Sequence, residues 1–481
     1  MTTSPLAHSP LPVPPYLMQT HPRIDHAALV AVLSDLGGVE HLADLGAGGP
    51  LVASAGARSL FHCLFGRDSI RMAMDVLDDF PAVARATVRD LARLQGVRDN
   101  PRGEEEPGRI LHEDRAADDP HAARLAEHWD LPYYGAVDST PQWINLLAGL
   151  VERDGDGILA EAFVDRLGRT RTMRDALVEA IGWIVRRLDD PIGGGFLWVR
   201  RASPDGIINQ VWEDSWDSYY HEDGALLDPD LPYAPVHVQG YVYDALLGAA
   251  SIFERGSGEV AESARASEDA AKVRFHAADL REHAAELRAR AARLRACVLA
   301  EFWLPELGTF AQALAFDAAG RATPIRVAAS SPGHLLASGL LDGDDVGDIR
   351  RATIARFRQD DLLAAGGVRT KSTGAARFGA GTYHNGSTWP MDTGVIADGL
   401  RRHGEHAQAD DLEDRILRGC AAVGGFPEFF RGDADDAVRV NTTVVDRIVD
   451  GRLNRLEQPP QADQGWTATR VWRILRRRGQ I

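Results

Sequence analysis

Apolar residues recur at helical spacing in segment after segment of this chain of 481 residues, and nowhere do strand-like runs alternate with those segments. A side chain that returns to one face every ~3.6 residues needs an apolar partner on that face, so such segments must bury themselves against one another. The spacing predicts helices over Ser69–Asp78, Ala82–Gln95, Thr140–Arg153, Thr172–Arg187, Val236–Arg255, Ser330–Gly339, Val346–Arg358, Met391–Arg402, His406–Gly424 and Gln464–Leu475. A doubly wound sheet needs βαβ alternation and is excluded by this pattern. Ser263–Glu301, dense in Ala, Arg and Glu, reads as one long, mostly exposed helix whose charge stripe is a solvated face. Gly194–Arg200 and Gly308–Leu314 read as loops or small hairpins. The length calls for two or three domains or for one large repetitive architecture. Helical hairpins closed into an all-α ring use the chain as a single unit.

Composition narrows the partners. A net charge of −17 argues against nucleic acid and anionic membrane and suits a neutral ligand. Cys63, Cys297 and Cys420 form no C-x-x-C pair, so neither a zinc site nor a disulfide framework is expected, and a reducing cytoplasm fits. The stretch Met1–Pro15 lacks the positive start and apolar run of a signal peptide, and no apolar run approaches the ~20 residues of a membrane span. No metal or cofactor is expected. Asp44-Leu45-Gly46-Ala47-Gly48-Gly49-Pro50 mimics the glycine loop of adenosylmethionine-dependent methyltransferases, but without alternating strands and helices it has no context. The acidic loops Asp154–Gly157 and Asp342–Asp345 fall short of calcium-loop spacing and read as solvated turns.

The unusual residues lie in the loops between helices. Asn209-Gln210-Val211-Trp212-Glu213-Asp214-Ser215-Trp216-Asp217-Ser218 packs carboxylates, indoles and amides into one stretch, and Gly425-Phe426-Pro427-Glu428-Phe429-Phe430 later offers one acid among aromatics. Carboxyl groups on separate elements facing each other across a cleft are the minimum equipment for hydrolysing a glycosidic bond. Phe65–Ser69, Tyr133–Pro141 and Tyr383–Asp392 each place aromatic and polar residues just before a helix. Helix capping accounts for any one of them, but a cap needs a single small polar residue. Aromatic faces with hydroxyl-binding groups suit a polyhydroxylated neutral ligand.

Phe65-Gly66-Arg67-Asp68-Ser69, Glu106–Glu113, Tyr134–Asp138, Asp214–Ser218, Val238–Tyr241, Ser331–Leu336 and His384–Pro390 together resemble, in order, the motif series of bacterial amylo-α-1,6-glucosidases of glycogen-debranching type. The resemblance runs from about Gly48 to Trp472. It implies the (α/α)6 barrel of the six-hairpin glycosidases and inverting, metal-independent hydrolysis. On that reading residues 1–20 are a flexible tail and 21–481 form one catalytic barrel with a long helical insertion near 258–301. Glu213 stands where many debranching-type sequences carry Lys.

Matching the trehalase-like pattern Glu-x-x-Trp-Asp makes Asp217 the general acid with Glu213 as its tuning neighbour, whereas a glucoamylase-like Trp-Glu match favours Glu213. Glu428, in a Pro-Glu-aromatic setting, is then the general base. Arg67 and Asp68 would grip the terminal sugar, Trp216, His384 and Trp389 would line its subsite, and Asp138, Gln239 and Asn385 are further candidates. The expected activity is exo-acting release of one sugar, glucose first among the candidates, from a short α-glucoside, with α-1,6 linkages favoured. A trehalose-type or glucosyl- or mannosyl-glycerate substrate is the alternative, and a silent glycan-binding toroid is the non-enzyme alternative. Oligomeric state is left open by the sequence.

Overall fold

The computed structural model describes residues 48–54, 60–116, 118–263, 270–317, 319–434 and 437–480. The expected tail over 1–20 and the glycine loop up to Ala47 lie outside the described residues.

Helices dominate: α1 (Gly66–Asp75), α2 (Pro81–Arg93), α3 (Ser139–Asp154), α4 (Met173–Leu188), α5 (Val236–Ser263), α6 (Ala270–Glu301), α7 (His334–Ala337), α8 (Gly347–Arg356), α9 (Pro390–Arg402), α10 (His406–Val423) and α11 (Gly465–Arg477). Helix α1 packs on α3, α3 on α5, α5 on α7, α7 on α9, α9 on α11, and α11 back on α1, so these helices close an inner ring. Around it, α2 lies on α1 and α3, α4 on α3 and α5, α6 on α5, and α10 on α9 and α11. This is the ring of helical hairpins expected from the periodicity, and the (α/α)6 toroid that the resemblance implies. The ring closes tightly where side chains vanish: a Cβ on Gly399 of α9 would stand 2.6 Å from the Leu336–Ala337 backbone of α7.

Helix α6 is solvated on most of its described surface, as expected. Its buried stripe, Ala284, Leu287, Ala291, Leu294 and Val298, follows steps of three and four residues and faces α5. Burying each large member stabilises the pair by about 1.5–3 kcal/mol. The helix is thus the outer partner of a hairpin with α5.

Strands are short. β1 (Tyr233–Pro235) pairs with β2 (Ala313–Phe316), and β2 with β3 (Ala322–Pro324). The hairpin of β4 (Val445–Val449) with β5 (Arg452–Glu457) was not anticipated from the sequence. Its turn residues Asp450 and Gly451 both have positive φ, 53° and 76°, the pairing of a two-residue type I′ turn. Among the described residues no helix is long and apolar enough to cross a membrane.

Candidate active site

The loops that lead into the inner helices meet at one end of the ring. Arg67 and Asp68 sit in the first turn of α1, and Asp138 precedes α3. Gly66 is required there because a Cβ would fall 2.1 Å from the Leu111 carbonyl oxygen. His384 and Asn385 lie in the loop before α9, and Glu428 in the loop after α10. The N-terminal ends of inner helices carry partial positive charge, which offsets the carboxylates gathered around them.

Arg67 is the hub. Its Nη1 donates to both oxygens of Asp138 at 3.2 Å, and its Nη2 donates to Asp214 Oδ2 at 3.3 Å. Burial pushes the Asp68 carboxyl up to about 6, opposed by Arg67 and reinforced by the charge of Asp138. Asp214 keeps 32% of its side chain open, yet the enclosing protein pushes it up to about 7 against the pull of Arg67, with Asp68 and Asp138 adding to the rise.

The three carboxylates of the tryptophan-rich loop separate by their partners. Glu213 is fully buried, and Lys371 Nζ lies 2.7 Å from its Oε1 with both side chains at 0% exposure. Tyr219 Oη donates to its Oε2 at 3.0 Å and Gln312 Nε2 approaches both oxygens at 3.3 Å. These three partners tie the tryptophan-rich loop at Glu213 to Lys371 and Gln312 from distant parts of the chain. Asp217 is 8% exposed, and its Oδ2 accepts from Asn385 Nδ2 at 3.0 Å and from Asn454 Nδ2 at 3.3 Å. Its Trp216 neighbour carries the Arg452 guanidinium over the ring at 5.5 Å.

Glu428 is 4% exposed. Tyr383 Oη donates to its Oε1 at 2.5 Å, Gln461 Nε2 to the same oxygen at 3.1 Å, and the Gln461 backbone N–H to Oε2 at 3.3 Å. Burial nevertheless pushes its carboxyl up to about 8; those hydrogen bonds pull it down, while the charges of Asp214 and Asp68 push further up.

Aromatic rings cluster next to these groups. Trp389 stacks on His384 at 4.8 Å and on Phe429 at 5.3 Å, and Trp212 packs edge-on to both Trp389 and His384. Trp389 is 1% exposed, as is His384, on which it stacks. Gln239 is committed to backbone: its amide donates to the Leu197 and Pro235 carbonyls and accepts from the Leu197 N–H. His384 Nδ1 meets the Ser215 N–H at 3.3 Å and hydroxyl at 2.9 Å. Burial, with Lys371 and Arg67 nearby, holds its ring well below the usual imidazole range and so neutral. Its Nε2, together with Arg67 Nε and Asn385 Oδ1, is buried without a hydrogen-bond partner. Unpaired buried polar atoms are costly, and these three belong to residues of the site loops.

Lys371, Asn454 and Gln461 were not anticipated as site residues, and Tyr383, which opens the loop Tyr383–Asp392 singled out above, was given no role of its own. For Asn454 the local signal existed: Asp450-Gly451 between Ile448-Val449 and Leu453 is the strongest short-range hairpin pattern. Among the described residues no group of three or more His, Cys, Asp and Glu is placed to hold a metal ion. The acidic turns are taken up by arginines, Asp154 by Arg153 and Arg85, and Asp342 and Asp345 by Arg402 and Arg295.

The toroid, with its acidic and aromatic-rich end, has the architecture of the six-hairpin glycosidases. Residues 198–466 match the family model of the mannosylglycerate hydrolase MGH1-like glycoside hydrolase domain. That is more than half of the 481 residues, and the chain belongs to this family. In fold it is similar to the mannosylglycerate hydrolase of Thermus thermophilus in complex with glucose, at 14% identity and TM-score 0.54, over 91% of this chain and 100% of that one. The same enzyme with Tris and D-glycerate gives 15% identity and TM-score 0.54, over 91% and 98%. A glycosidase variant in complex with glucose gives 15% identity and TM-score 0.53, over 95% and 100%. Curated proteins gave no match. Membership of the narrower amylo-α-1,6-glucosidase family is not what these likenesses support.

Proposed function

We propose that this protein is an inverting, exo-acting hydrolase of a small α-glycoside, with Asp217 as general acid and Glu428 as general base. The observation that carries this reading is the pair of carboxyls on separate loops, each fixed by amide donors from one stretch of chain: Asn454 on Asp217 and Gln461 on Glu428. The Asp217 proton passes to the glycosidic oxygen as its bond to the anomeric carbon breaks. Glu428 takes a proton from the water whose oxygen forms the new bond on the opposite face. A carboxyl whose proton affinity lies near working pH, as at about 8 for Glu428, is an effective base once ionised. Arg67, Asp68, Asp138 and His384 would hold the terminal sugar beside the aromatic cluster of Trp212, His384 and Trp389.

For the aglycone, Arg452 favours a small carboxylate. Its guanidinium lies over Trp216 beside Asp217, and among the described residues no carboxylate is paired with it. The family match and the D-glycerate held by the Thermus relative support the same choice over a neutral α-1,6-glucoside or trehalose. Hydrolysis of α-glucosyl- and α-mannosyl-glycerate, isomaltose and trehalose, compared by kcat/KM, tests this. Equal or better turnover of isomaltose, with no selective loss in Arg452→Ala, would sink the acidic-aglycone reading.

A second assignment rests on Asp214, whose carboxyl is held up at about 7 and whose charge is felt at Glu428. Asp217→Asn should cost about 10²–10⁴-fold in turnover, and Asp214→Asn less. The reverse order moves the acid to Asp214.

A further inference from the structure

Between Thr442 and Pro460 the β4–β5 hairpin leaves its side chains exposed or half-buried, and the one buried residue in that span is Asn454. Side chains alternate across a strand, so on β5 Leu453 points outward at 71% exposure while Arg452 and Asn454 turn to the other face, over Trp216 and Asp217. The hairpin is built and docked firmly: the Asp450-Gly451 turn sets its hand, Arg377 pairs with Asp450, and Arg431 Nη1 lies 3.0 Å from Glu457 Oε1. A buried amide is costly without a partner, and the side-chain hydrogen bond Asn454 makes is the one to Asp217 Oδ2 at 3.3 Å.

That oxygen also receives Asn385 Nδ2 at 3.0 Å, and the same amide nitrogen donates to the Asp217 carbonyl at 3.1 Å. A protonated carboxyl has one O–H and one bare oxygen. An oxygen facing two N–H groups cannot also carry the proton without setting donor against donor. We infer that Asn454 is a positioning residue for the general acid: with Asn385 it makes Oδ2 the permanent acceptor, so that Oδ1 carries the proton to the glycosidic oxygen. The inference rests on the reading of Asp217 as the acid. It makes the hairpin part of the catalytic apparatus and not a surface elaboration.

The test separates help to a leaving group from general damage, because a glycosyl fluoride departs with little need of protonation. Turnover of the best glycoside from the panel above and of the α-fluoride of the same sugar is measured for the native protein, Asp217→Asn, Asn454→Ala, Asn454→Asp and Leu453→Ala. For Asn454→Ala we expect kcat on the glycoside to fall about 10- to 100-fold, a part of the ~10²–10⁴-fold due to acid catalysis, and on the fluoride by no more than about threefold. Asn454→Asp keeps the shape but has no N–H and should lose at least as much on the glycoside. Leu453→Ala, on the outward face, should leave both rates unchanged. Equal losses on both substrates in Asn454→Ala, or native glycoside turnover in Asn454→Asp, would overturn the inference alone. Native glycoside turnover in Asp217→Asn would instead remove the reading beneath it.

Discussion

Replacing Glu428 with Gln should abolish most turnover and yet shift relative stability in favour of the variant as pH rises. The Glu428 carboxyl is 4% exposed and is pushed from 4.5 up to about 8, first by burial. Below pH 4.5 the carboxyl is protonated in both folded and unfolded chains and contributes no pH-dependent difference. Between 4.5 and 8 the unfolded chain is ionised while the folded one holds its proton, so stability falls with rising pH. Above 8 both are ionised and the loss is complete. The rise of about 3.5 units corresponds to ~5 kcal/mol at ~1.4 kcal/mol per unit. Unfolding 481 residues at ~2.1 cal/mol/K each gives an entropy of about 1 kcal/mol/K, so the loss is worth about 5 °C in Tm. Gln cannot ionise and escapes it. Its amide nitrogen facing the Gln461 N–H adds a penalty that does not change with pH. The assay is therefore thermal unfolding of both proteins across pH 4.5–9.5, read as the difference between the two Tm curves. That difference should rise in favour of Glu428→Gln by about 5 °C from acid to alkaline pH. Parallel curves would refute the buried, proton-holding carboxyl.

Lys371→Met leaves the Glu213 carboxylate buried with only Tyr219 and Gln312, and should cost about 3–5 kcal/mol in urea unfolding, part of it recovered in the Lys371→Met/Glu213→Gln double variant. Asp214→Asn removes a negative charge that raises Glu428, so the acidic limb of the kcat/KM–pH profile should move to lower pH; movement upward would show that the two carboxyls do not share a field. Proton NMR of fresh product from an α-glycoside should show the β-anomer first, and initial α-anomer would exclude direct displacement by water. A maltooligosaccharide should yield single sugars from its end, and early release of maltose or longer fragments would contradict exo-acting release beside the cluster of Trp212, His384 and Trp389.

Local physics, and so the sequence, determined where the helices run. The apolar period that predicts His406–Gly424 and Val236–Arg255 starts α10 and α5 at the same residues, because a 3.6-residue repeat is written in the chain itself. It also determined that the loops ahead of α1, α3 and α9 carry the polar and aromatic groups, since helix faces had no use for them. The hairpin that holds Asn454 was written locally too, in Asp450-Gly451 and the β-branched pair Ile448-Val449 before it, and was overshadowed by the helical pattern on either side.

What only the tertiary structure decided is what each polar group faces. Glu213 and Lys371 are 158 residues apart, and nothing local distinguishes a carboxylate that will meet an ammonium from one that will meet a substrate. Gln239 and Asn385 are both amides near the site, yet one is consumed by backbone at Leu197 and Pro235 and the other grips Asp217. Trp389 and Trp216 are both indoles in site loops, one stacked on His384 and the other under Arg452. Proton affinity follows the same division. The rise at Glu428 comes from burial and from carboxylates brought in by other loops, and those quantities exist only once the ring has closed.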